Sequence, residues 1–106
     1  MESNVLEQCV SSMWYFLLRG ALYAEVFPEC INEELSLFVQ YLNQEIKTEN
    51  IHPVAHRVIT HELAEGGYKE KYPDMANRIE SYLVQSLDYE KDDCKELMKY
   101  IRKITE

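Results

Sequence analysis

Three histidines, His52, His56 and His61, fall within ten residues of this 106-residue chain, and the last of them opens the run HELAE, His61 to Glu65. A zinc-protease helix needs H-E-x-x-H, so that two imidazoles one turn apart grip the metal while the glutamate acts as base. Here Glu65 stands where the second histidine belongs. An imidazole and a carboxylate at that spacing supply two ligands only, and the same spacing describes a surface pair on an amphipathic helix. A metal-dependent enzyme centred on His61 and Glu65 is therefore the last of three functional readings. Histidine as a residue type suits a pH sensor, but polar positions around a helix start are the commoner reason for such a cluster.

The remaining chemistry-bearing types are sparse. Cys9, Cys30 and Cys94 are odd in number and contain no C-x-x-C pair, which argues against a disulfide framework or a zinc site and for reduced thiols in a cytoplasm. Cys9 and Cys94 fall on apolar helical faces, where cysteine acts as a small hydrophobe. The three glycines, Gly20, Gly66 and Gly67, are too few and too scattered for a P-loop or dinucleotide fingerprint. DYEKDDCKE lacks the alternating oxygens and central glycine of an EF-hand. No catalytic residue, metal or cofactor is assigned, and the protein is expected not to be an enzyme.

Charge says more. Nineteen acidic against eleven basic residues give a formal charge of −8, and the excess sits in the first half. Residues 1–53 hold eight acids and two bases, whereas residues 54–106 hold eleven and nine. Such a surface repels phosphate backbones, and it either keeps a small protein soluble or attracts basic partners. Glu25, Glu29, Glu33 and Glu34 cluster around the first connection between helices, and Tyr68 and Tyr72, in GGYKEKYP, are further candidate contact residues that can equally fold back to seal the bundle. The leading expectation is thus a small acidic inhibitor, adaptor or immunity-type protein that occupies a basic protein surface, without direct nucleic-acid or membrane binding.

The elements that must position these residues are helical. The pattern predicts an all-α, single-domain bundle of about five helices over 1–106. The first runs from about Asn4 to Val26, with Val5, Cys9, Met13, Phe16, Leu17 and Ala21 inward, and ends at Phe27-Pro28. The second spans roughly Asn32 to Lys47 on a Leu35, Phe38, Leu42, Ile46 stripe, with Glu33 and Glu34 in its first turn, as the macrodipole prefers. The third starts at Pro53, turns Val54, Val58, Ile59 and Leu63 inward and stops at Gly66-Gly67. The fourth starts at Pro73 with Met75, Ala76, Ile79, Leu83 and Leu87 inward. LDYEKDD reads either as a polar hinge or as a stretch through which the fourth helix runs on into a fifth, which carries Cys94, Leu97, Met98, Ile101 and Ile104. The acidic opening MESNVLEQ is unlike a signal peptide.

One stretch leaves two readings open. Twelve of the fifteen residues from Met13 to Phe27 are apolar or aromatic. A membrane span needs about 20 such residues, and Arg19 and Glu25 interrupt this one. The first helix is therefore either central, buried on most sides, or it turns Trp14, Tyr15, Leu18 and Leu22 outward as the face of a homodimer. The second possibility makes a self-associating structural or regulatory protein the alternative function.

Overall fold

The computed structural model describes residues 2–23 and 29–105, apart from the side chains of residues 2, 3, 29 and 30. Six helices follow in order: α1 (Glu2–Tyr23), α2 (Glu29–Lys47), α3 (Pro53–Glu65), the single turn α4 (Tyr68–Lys71), α5 (Met75–Ser86) and α6 (Lys95–Thr105). Among the described residues there is no strand, so the all-α expectation holds. The radius of gyration, 12.8 Å, matches the ~13 Å of a compact chain of this length.

Local chemistry explains most boundaries. His52 caps α3: its Nδ1 accepts a hydrogen bond from the Val54 amide at 3.1 Å, and Pro53 occupies the position where a missing N–H costs nothing. Gly66 ends α3, and a Cβ there would lie 2.3 Å from the Tyr68 ring. Gly67 then turns with φ +66°, a conformation that side chains disfavour. The α4 turn lies inside what the sequence presents as a connection. The polar hinge LDYEKDD is real: α5 ends at Ser86 and α6 begins only at Lys95.

Helix α1 packs against α2, α3 and α5, and α6 closes the bundle against α2 and α5. Val10, Trp14, Leu17, Leu18 and Leu22 are all buried. The proposed dimer face is thereby corrected: Trp14, Leu18 and Leu22 belong to the core, and of those four only Tyr15 is exposed. Val5 and Cys9, expected inside, are exposed. The reason is helical arithmetic. At 3.6 residues per turn, each step of four advances about 40° around the axis, so Val5 lies roughly 160° from Ala21 and cannot share its face. The spacing that reads as one stripe is a spiral, and Val10, Trp14, Leu17, Leu18 and Leu22 are the part of it that is buried.

The other faces follow the sequence. Val54, Val58, Ile59 and Leu63 of α3, Met75, Ile79 and Leu83 of α5, and Cys94, Leu97, Met98 and Ile101 at and within α6 are buried. Ser11 Oγ donates to Glu62 Oε1 at 2.9 Å and Arg57 pairs with Glu7 at 3.1 Å, tying α3 to the outer side of α1. No helix among the described residues is long and apolar enough to cross a membrane.

Candidate functional site

Helix α2 starts at Glu29, one turn earlier than its stripe suggests. Glu33 and Glu34 are therefore in the second turn, beyond the reach of the dipole, which fades within the first. Both are exposed, and the ion pairs among the described residues, Arg57–Glu7, Arg78–Asp74 and Arg102–Glu80, all lie off α2. Glu25 lies outside the described residues, as does the side chain of Glu29.

On the same outer side of α2, Leu37 is 65% exposed and Tyr41, one turn on, 42% exposed. The inner side buries Leu35, Val39 and Leu42 completely or nearly so and half-buries Phe38 and Ile46. Leu37 thus belongs to no core stripe. Burying such a side chain is worth about 1.5–3 kcal/mol, a gain the isolated chain forgoes here. Burial and the nearby Glu45 carboxylate push the Tyr41 hydroxyl pKa upward. The face consequently presents Glu33, Glu34, Leu37, Tyr41 and Glu45 without a cation until Lys47.

Next to Leu37, α2 and the end of α5 border an open, shallow depression of about 470 Å³, lined by Asn32, Glu33, Ser36, Leu37, Leu87 and Asp88 among others. Its walls are pinned. The Tyr89 hydroxyl donates to the Ser36 carbonyl at 2.6 Å, which fastens the α5–α6 connection to α2. Two turns further along, Asn43 accepts from the Leu97 amide at 3.0 Å and donates to the Asp93 carbonyl, so that a side chain of α2 caps the start of α6. A second depression beside Asn43, about 500 Å³, mixes Lys47 and Lys95 with Asp92, Asp93 and Glu96.

The other candidates are distributed differently. Tyr68 and Tyr72 are half-buried and pack on the core. They stack at 6.4 Å, Tyr72 meets Tyr23 edge-on at 6.3 Å, and the Arg78 guanidinium lies 5.6 Å over the Tyr72 ring. His52 caps α3, His56 Nδ1 lies 2.5 Å from the Tyr100 hydroxyl, and His61 lines a small hollow with Glu7, Ser11 and Glu62. His61 and Glu65 are both exposed. Among the described residues no three His, Cys, Asp or Glu side chains gather around a common point. Burial raises the Tyr100 hydroxyl to about 12, and burial, with Asp93 and Glu80 adding to it, raises the Cys94 thiol to about 11. A thiol so raised is a poor nucleophile at neutral pH.

Sequence reasoning overlooked Leu37 and Asp88, and assigned Leu87 to the inward stripe of the fourth helix, whereas it lies half-buried just past the end of α5. The signal for Leu37 was available: it and Tyr41 are four residues apart on the side away from Leu35, Val39 and Leu42. The contribution of Leu87 and Asp88 to the same depression depends on how α5 meets α2, which no local pattern encodes. No family model, curated protein or solved structure matches the chain.

Proposed function

We propose that this protein is a non-enzymatic interaction module, an acidic inhibitor or adaptor whose outer α2 face seats on a basic surface of another protein. The observation that carries this reading is Leu37, exposed beside Tyr41 on a helix whose neighbouring charges are Glu33, Glu34 and Glu45. An apolar centre inside a charged rim is the arrangement of protein interfaces, with the centre supplying affinity and the rim supplying orientation and rate. The rigid seating of α2 supports it, since Asn43 and Tyr89 fix this helix to α6 and to the hinge before it. The uneven net charge supports it too, because the acidic half of the chain contains α2.

The test is kinetic. Glu33→Lys together with Glu34→Lys should slow association with the partner by about tenfold or more at low salt, while helical circular dichroism stays unchanged. Wild-type association rates in that variant would refute the electrostatic docking of α2. Homodimerisation through Trp14, Leu18 and Leu22 is not retained, because those side chains fill the core.

A further inference from the structure

Resting on that α2 docking face, we propose that, when no other protein is bound, helix α6 of a second copy of this chain covers it in a two-fold dimer. The two helices pack side by side and carry equal and opposite charge. Helix α2 holds four acids and one base, a net −3, whereas α6 holds four bases and one acid, a net +3. Lys95, Lys99 and Lys103 are exposed and follow one another at steps of four, which makes a single ridge. Among the described residues no carboxylate pairs with these lysines and no cation pairs with Glu33 or Glu34.

The fold sets these charges at opposite ends of one surface. On α2, Glu33, Leu37, Gln40 and Gln44 are all exposed and follow at steps of four, three and four, which is one helical face. Gln40 and Gln44 border the same depression as Lys95, so this face continues onto the lysine ridge. Asn43 holds the start of α6 against the C-terminal half of α2, and Tyr100, further along α6, meets His56 at the start of α3, beyond the end of α2. The surface therefore runs from Glu33 and Glu34 through Leu37, Gln40 and Gln44 to Lys99 and Lys103. A half-turn about an axis through its middle lays the acidic end of one copy on the basic end of the other, twice over. Such self-complementarity is what a closed two-fold interface requires. From Glu33 to Gln44 and from Lys95 to Lys103 the two halves are about 16 Å and about 12 Å long, so they match in reach. Lysine stems are apolar and can cover Leu37 while their ammonium groups meet the carboxylates.

The experiment is analytical ultracentrifugation of the full chain from micromolar to millimolar concentration, at low and at high salt. The parent should form a reversible dimer at low salt and dissociate as salt screens the charges. Glu33→Lys/Glu34→Lys and Lys99→Glu/Lys103→Glu change exposed positions only, so both should keep the helical circular dichroism. Each alone should weaken dimerisation by about tenfold or more. Mixed in equal amounts, the two variants should regain the parent's dimer, because every reversed acid then faces a reversed lysine and the other contact keeps its native pairs. A parent that stays monomeric at millimolar concentration and low salt would overturn the dimer and leave the α2 face to a different protein. A dimer untouched by either reversal, or a mixture no better than the separate variants, would overturn it equally. The kinetic test of the α2 face uses a different partner and a different readout, so the two readings fail separately.

Discussion

Trp14 is the only tryptophan of the chain, is fully buried, and has an indole N–H with no acceptor among the described residues. Those facts make opposite predictions for two substitutions at one site. Trp14→Ala removes most of a buried bicyclic side chain and leaves a cavity at the contact of α1 with α3 and α5, which should cost about 3–5 kcal/mol. For a domain whose whole stability is of order 5–15 kcal/mol, that is a large fraction, and each kcal/mol corresponds to roughly 4–8 °C in melting temperature at this size. Trp14→Phe gives up some tens of Å² of apolar burial, about 1–1.5 kcal/mol at ~25 cal/mol per Å². It also removes the orphaned donor, whose desolvation costs about 1–3 kcal/mol. The two terms oppose each other, so Trp14→Phe should lie within about 1 kcal/mol of the parent. Urea unfolding followed by far-ultraviolet circular dichroism measures both, because the fluorophore is lost in each variant. A parental midpoint in Trp14→Ala would return this residue to a surface, and a loss above about 2 kcal/mol in Trp14→Phe would show that the N–H is satisfied.

Four further outcomes are expected. Leu37→Ser should leave stability within about 0.5 kcal/mol, as for surface positions generally, a result that urea unfolding reads directly. Asn43→Ala should cost about 1–2 kcal/mol, since it uncaps α6 and releases it from α2; a neutral variant would deny that the cap positions the α5–α6 connection. Cys9 should react readily with a thiol reagent in the native protein while Cys94 stays protected until unfolding; cysteine-specific mass spectrometry would follow both, and fast native labelling of Cys94 would contradict its burial. Alkaline titration should also reveal the raised groups, of which Cys94 and Tyr100 are shifted furthest. Because the folded pKa values of Cys94 and Tyr100 exceed the ordinary 9.0 and 10.0, their contribution to stability is complete below pH 9 and is lost as pH rises through about 11 and 12. A midpoint of unfolding that is flat between pH 8 and 11 would refute it.

The helical class, the start of α3 at Pro53, the stop at Gly66-Gly67 and the inward residues of α3, α5 and α6 could all be read from periodicity and end signals, which are local. The face of α1 could not. Its apolar residues exceed what one stripe can hold, and only the arrangement of α3 and α5 around the helix selects Trp14, Leu18 and Leu22 for burial. The start of α2 was legible only to within a turn, and that turn matters: it moves Glu33 and Glu34 away from the dipole that would have explained them. The acidic face itself could be anticipated from charge. The depression beside it could not, because Asn32 and Leu87 are separated by most of the chain and meet through tertiary packing.

The most direct test of the α2 interface is affinity capture from lysate of the native source, using the parent chain alongside Glu33→Lys/Glu34→Lys/Leu37→Ser at low and at high salt. The expected result is one stoichiometric basic protein retained by the parent, released as salt rises, and absent from the triple variant although that variant folds. Equal retention of the same protein by both chains would place the interface elsewhere and contradict the α2 reading.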